Sequence, residues 1–421
     1  MRQYPLLENK SAKGLFGVFL TAMLFLSRDT LFSSSIVGFQ KSQLYMFALI
    51  GGLGVCFLVR NFREIRHIVL DPRVFAIAIS AALLLLPMLL KQDWQLMYFS
   101  ILLCLLFAIF LTYFTSSCDM AKYYVVILCL LGLYSLIATY GLRELAQTGK
   151  ISPRIFYNSN EWDFYDFGFA YAVTWEYWHR NFGIFREPGV YQFFVLIGLY
   201  LNNYLVNWGK SWKMWVCNGV LVATMISTFA IGGFAELGLF ALFLYCDKKY
   251  YREKWGRIAG ITAVLAFLSV VAAFFYRMSQ PDFAHSMFYE IYDMFLRLFT
   301  KSDSSTDRMD AIVTNLQIFL KHPLLGDTVA NVLHGTNHNT SSTLLLFAIL
   351  GVAGGAINVL AWVALAWDRK RSIFGNLILL LILFMSFNTQ NLVANVFFWL
   401  FPMMALTERG LPNLKLSVKK E

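Results

Sequence analysis

Apolar runs of membrane-crossing length follow one another along nearly the whole chain, and they constrain its fold more than any other feature. About 20 apolar residues cross a bilayer as a helix, because every backbone polar group then bonds within its own segment. Such runs lie near 12–27, 42–59, 74–90, 96–115, 121–140, 190–207, 214–230, 232–246, 257–276, 341–366, 373–387 and 392–407. They predict an all-α, polytopic integral membrane protein with about twelve transmembrane helices, 1–421 forming one membrane domain. Charged residues make up 14% of the 421 and hydrophobic ones 58%, whereas a soluble domain carries roughly 25% charge. The first run, Gly14 to Ser27, is read as a retained span rather than a removed signal.

Flanking charges divide the two longest stretches. Lys210 and Lys213 precede 214–246, and Lys248 and Lys249 follow it. Basic residues at both ends put both ends on one side, which requires two crossings with a turn, expected at Gly232-Gly233. The stretch 373–407 divides likewise: Arg369-Lys370-Arg371 precede it, Arg409 and Lys415 follow, and Asn388-Thr389-Gln390-Asn391 makes the turn. Both termini then face the cytoplasm, together with more than half of the 35 Lys and Arg residues. The net charge of +10 therefore reflects membrane orientation and not nucleic-acid binding. The six cysteines (Cys56, Cys104, Cys118, Cys129, Cys217, Cys246) fall in spans or on the inner side, so neither a disulfide framework nor a metal site is expected.

Two outer loops dominate, 141–189 and 277–340. Loops this long are uncommon unless functional. The first is rich in aromatic residues, among them Trp162, Tyr165, Trp175, Tyr177 and Trp178. In the second, Phe283, Met287, Phe288, Ile291, Phe295, Leu298 and Phe299 mark one amphipathic helix. A second is expected to start at a Thr306 cap, with Met309, Ile312, Val313, Leu316 and Phe319 on its apolar face and Pro323 ending it. Five histidines (His179, His285, His322, His334, His338) map to the outer side. Glu236 falls inside a span, where an ionised carboxylate costs roughly 2.5–3.5 kcal/mol and has to face protein or water.

Two blocks of residues stand out. One reads Arg180-Asn181-Phe182-Gly183-Ile184-Phe185-Arg186-Glu187-Pro188-Gly189; the other reads Arg308…Pro323-Leu324-Leu325-Gly326…His338-Asn339…Leu344…Gly351. Together, in these loops and this order, they resemble the signature of the O-antigen polymerase and O-antigen ligase superfamily of bacterial inner membranes. The motif-level match covers about 180–192 and 306–354. Where ligase-like members carry a glutamate this chain has Ile349, and the arginine often found in an earlier span is not evident around Ser227-Thr228-Phe229. Both departures weaken the ligase assignment more than the resemblance to the superfamily.

The resemblance implies a GT-C-like membrane glycosyltransferase without metal or other cofactor. Its donor would be an undecaprenyl-diphosphate-linked oligosaccharide, transferred with inversion to a second lipid-linked repeat unit. Membrane lipids surround it, and a chain-length regulator protein is an expected partner. Breaking the donor's glycosidic C–O bond builds negative charge on the diphosphate, which arginines in a low-dielectric groove stabilise. Arg180, Arg186, Arg277 and Arg308 are the candidates. His338 has the residue type for a general base near neutral pH, and Glu187 is expected to support the site. The alternatives are an O-antigen ligase with lipid A-core as acceptor and, in a different class, a secondary transporter or flippase.

Overall fold

The structure, a computed structural model, describes residues 10–61, 72–112, 114–158, 162–175, 179–246, 276, 303–335 and 339–410. Outside them lie the run 257–275, the amphipathic segment 283–299, Arg277, His285 and His338, and also Tyr177, Trp178, Lys248, Lys249 and Lys415.

The chain is mostly helical. The helices are α1 (Lys10–Leu26), α2 (Phe39–Asn61), α3 (Pro72–Lys91), α4 (Leu96–Leu111), α5 (Ser117–Ile137), α6 (Pro188–Tyr204), α7 (Ser211–Ser227), α8 (Ile231–Cys246), α9 (Asp303–Lys321), α10 (Val329–His334), α11 (Thr343–Ala366), α12 (Ile373–Phe387) and α13 (Val396–Gly410). A helix thus occupies every expected apolar run within the described residues. Two stretches are long and apolar enough to cross a membrane, Ser117–Gln147 and Thr343–Ala366. Others, such as Leu96–Leu111 and Ile373–Phe387, are shorter apolar helices.

Helix α6 is the axis of the fold. Every side chain from Val190 to Asn203 is buried, as expected of a helix apolar nearly all round. It packs against α5 and α7, and α13 packs against α4 and α11. Phe193, Trp362, Phe387 and Phe398 interlock where α6, α11, α12 and α13 meet; the Trp362 and Phe387 ring centroids are 4.2 Å apart.

The first long loop contains β-structure that helical periodicity does not reveal. Strands β1 (Arg154–Tyr157), β2 (Asp163–Asp166) and β3 (Tyr171–Val173) form an antiparallel meander in the order β1-β2-β3. Phe156 stacks on Phe164, which meets Phe182 edge-on. Phe182 belongs to the 180–189 block, so the sheet braces that block from one side.

The run 341–366 is not one straight span. Gly351, at φ 66° and ψ −163°, divides α11 into half-helices that fold toward each other. Thr343 Oγ1 donates to Asn358 Oδ1 at 3.4 Å, whereas fifteen residues of straight helix would hold those positions about 22 Å apart. A break exposes backbone carbonyls that need partners in an apolar setting. The Pro323–Gly326 turn supplies them. Asp327 N donates to Ala348 O at 2.7 Å, and Val352 N to Pro323 O at 2.7 Å. Lys91 Nζ reaches across from α3 and donates to Asp327 O at 2.8 Å and Ile349 O at 2.7 Å. Asp93 completes the joint, accepting from Val329 N at the start of α10 at 2.6 Å and from the Tyr98 hydroxyl at 3.2 Å.

The "PLLG" turn and Gly351 are therefore one backbone joint. Lys91→Met is expected to lower stability by about 1.5–3 kcal/mol, the worth of hydrogen bonds from a charged donor. Thermal unfolding in detergent measures it; an unchanged midpoint would mean that the two carbonyls find other donors.

Two further expectations need correction. The turn between α7 and α8 falls at Thr228–Ala230 and not at Gly232-Gly233. Phe229 takes the left-handed conformation (φ 45°), and both glycines lie in the first turn of α8. Gly233 is small for a packing reason: the Gln192 side chain occupies the space of a Cβ there. Helix α9 begins at Asp303, so Thr306 lies inside it and not at its start. Of its expected apolar face, Phe319 meets the Phe347 ring at 5.1 Å, but Met309, Val313 and Leu316 are exposed.

Candidate functional site

At one end of the bundle four chain breaks converge: the α1–α2 connection, the 180–189 block, the α7–α8 turn and the α12–α13 turn. Asn181 pins the 180–189 block. Its amide nitrogen donates to Ser135 Oγ and Ser227 Oγ, both at 2.9 Å, its backbone N–H donates to Ser227 O, and its Oδ1 accepts from Gly183 N. Gly183 has φ 55° and packs against the Tyr191 ring, where a Cβ would lie 2.6 Å from Cε1. Leu31 N donates to Ile184 O at 2.9 Å and Arg186 N to Asp29 O at 3.0 Å. The block is thus zipped onto residues 29–31.

This zipper sets the electrostatics. Asp29 is buried. Its carboxylate faces Arg186 Nε at 3.5 Å and accepts from Asn395 Nδ2 at 2.8 Å. Arg186 Nη1 also lies 3.9 Å from Glu187, with both side chains part-exposed. Arg28 adjoins the pair. Burial holds its guanidinium below the usual arginine range; Asp29 opposes that shift and the like charge of Arg186 adds to it. Two guanidinium groups thus lie in the field of one buried carboxylate, and Arg186 faces it directly. Arg180 Nε donates to Thr228 O at 3.2 Å. Glu187 is the N-cap residue of α6, with Pro188 at the first helical position and no side-chain cap bond. The Glu187 carboxylate is therefore not spent on the helix.

The α12–α13 turn joins the two sequence blocks. A Cβ on Gly189 would lie 2.5 Å from Gln390 Nε2, so any larger residue would have to displace the Gln390 side-chain amide. Ser342 Oγ donates to Gln390 O and accepts from Leu392 N at 2.8 Å; Ser341 Oγ donates to Asn388 Oδ1. The residues just after His338-Asn339 therefore meet the residues just after Arg186-Glu187 through 388–392. Asn339 pairs with Asn315 of α9 by reciprocal amide bonds of 3.0 and 2.9 Å.

Beneath this rim lies a buried polar layer. Gln192 Nε2 donates to Thr228 Oγ1 at 3.1 Å and Ala230 O at 2.9 Å. Glu236 is buried in α8. Glu236 Oε2 lacks a hydrogen-bond partner, as do ten other buried side-chain atoms among the described residues, including Thr340 Oγ1, Asn358 Nδ2, Trp362 Nε1 and Asn391 Oδ1. Each such atom costs about 1–3 kcal/mol unless a polar ligand or water satisfies it.

Arg186, Glu187 and Arg180 are thus brought to one end of the bundle. Arg308 sits half-buried on α9, and among the described residues no carboxylate pairs with it and no hydrogen bond or ion pair joins it to Arg186 or Glu187. His322 and His334 are exposed. Among the described residues no three His, Cys, Asp or Glu side chains converge as metal ligands would.

No family model and no curated protein matches this chain.

Sequence reading missed Arg28, Asp29, Asn395 and Gln390 as parts of this end. A signal existed for the first two, an Arg-Asp pair directly after an apolar run. Asn395 and Gln390 offered only their polarity within apolar surroundings.

Proposed function

We propose that the chain is a polytopic inner-membrane glycosyltransferase that polymerises undecaprenyl-diphosphate-linked repeat units at the outer face. In this reading about twelve helices cross the bilayer, both termini are cytoplasmic, and the Arg186 end of the bundle faces outward. The observation that carries it is Arg186 facing the buried Asp29 at 3.5 Å, with Arg28 next to Asp29 in the chain and unpartnered buried polar atoms such as Glu236 Oε2 elsewhere in the fold. Guanidinium groups in low dielectric suit a diphosphate, and uncommitted polar atoms suit sugar hydroxyls.

In the transfer, the acceptor oxygen forms a bond to the donor's anomeric carbon as the bond to the diphosphate breaks, and the electron pair stays on the diphosphate oxygen. Arg180, Arg186 and Arg308 stabilise that charge, joined by Arg277. His338 takes the acceptor's proton, and Glu187 orients Arg186. No cofactor takes part. A chain-length regulator and membrane lipids are the expected partners.

Cells lacking the gene, with and without the wild-type copy, test this directly. Single repeat units on core without the gene, and a ladder with it, are expected. Lipid-linked long chains with none transferred to core would point to an O-antigen ligase. A second reading, a secondary transporter, is favoured by the broken helix α11, since half-helices line transporter sites. Against it, the Ala348 and Ile349 carbonyls at that break are already taken by Asp327 N and Lys91. Substrate uptake into liposomes without elongation would favour the transporter.

A further inference from the structure

Helix α9 presents three separate faces. At about 100° per residue, Ala311, Asn315 and Ile318 fall on one side together with Phe319. This side packs on α11; Ala311 and Asn315 are fully buried and Phe319 meets Phe347. Met309, Val313, Leu316 and Leu320 form a second stripe and are 60%, 44%, 44% and 67% exposed. Asp310, Gln317 and Lys321 form a third stripe, also exposed, about 90° round the helix from the second.

A helix in water has no reason to keep four large side chains bare beside its polar face, at about 1.5–3 kcal/mol for each side chain left unburied. A helix crossing a bilayer does not carry a polar stripe of this kind, and α9 is not among the apolar helices. One face to protein, one apolar and one polar at right angles is the arrangement of a helix lying in the plane of a membrane interface. Neighbouring segments expose large apolar side chains as well. Leu324, just beyond the helix, is 72% exposed, and α11, on which α9 packs, exposes Val352, Val359 and Leu360.

We propose that α9 lies in the membrane interface, with Met309, Val313, Leu316 and Leu320 inserted among phospholipid acyl chains and Asp310, Gln317 and Lys321 in water. Arg308 lies on the bundle-facing side of α9, nearly opposite the polar stripe, and is thereby held at the depth of lipid phosphates. This assignment goes beyond glycosyl transfer and requires only that the chain be embedded in a membrane.

The test places the photoreactive amino acid benzoylphenylalanine singly at 316, 320, 317 and 321 in the full chain, with position 360 as a lipid-facing control. The protein is reconstituted in phosphatidylethanolamine–phosphatidylglycerol vesicles and irradiated, and adducts are identified by mass. Phospholipid adducts severalfold more abundant at 316 and 320 than at 317 and 321 are expected. Equal or lower yields at 316 and 320, with position 360 reacting normally, would overturn the proposal. A cross-linked dimer from 316 or 320 would also overturn it, by showing that the stripe meets a second copy of the chain.

Discussion

Arg308→Ala is expected to reduce glycan elongation by about 10²–10³-fold, the usual effect of removing one preorganised donor to developing negative charge. The protein is expected to accumulate normally, because Arg308 is only half-buried and no carboxylate among the described residues pairs with it. Arg308→Lys keeps the charge but not the planar fork, and is expected to fall between the two. His338→Ala removes the proposed base and is expected to cost about 10²–10⁴-fold. Ladder length in complemented cells, read beside immunoblots of membrane fractions, measures all three. Full ladders from both alanine variants, at normal protein levels, would sink the assignment of these residues.

Gly351→Ala is expected to prevent recovery of folded protein. Its φ and ψ lie in a region that is essentially glycine-only and costs other residues about 1–3 kcal/mol. A Cβ there would also run into the Leu324 carbonyl. Relief of that overlap has to move the Pro323–Gly326 turn, which carries the Asp327–Ala348 and Val352–Pro323 hydrogen bonds and the Lys91 anchor. Gly326→Ala is expected to act similarly, with φ 68° and a Cβ 2.5 Å from Ala348 O. Gly219→Ala is the control, since a Cβ at that helical position meets no atom within 4 Å. Size-exclusion chromatography of detergent extracts separates the outcomes. A monodisperse, wild-type-like peak from Gly351→Ala would show that the half-helices do not depend on this backbone conformation.

Gly351 and Pro323–Gly326 show how much a sequence motif conveys. Their pattern marked a site, yet their local role is a joint between a turn and a broken helix. Their spacing carried no sign that the two touch. The same holds for Gly189 and Gln390, 201 positions apart in the chain, whose contact joins the arginine block to the residues following His338-Asn339.

Helix placement was legible from sequence alone, because burial in an apolar medium demands long runs whose backbone bonds are internal, and such runs are visible residue by residue. Local exceptions were legible only in part. Strands β1 to β3 are three or four residues long and lie in an aromatic-rich loop, too short for period-two alternation to register. The reversal at Gly351 was hidden because hydropathy records how apolar a run is and not the direction in which it points. The apolar residues of α9 were visible in order, but which of them face α11 and which face outward depends on where α11 lies. From the sequence came the helical, lipid-suited character of the chain and the residue types able to bind an anion. Tertiary structure alone decided that Arg186 and Asn395 meet Asp29 and that Gly189 meets Gln390. Those contacts join segments more than a hundred residues apart, and no periodicity in a linear chain encodes them.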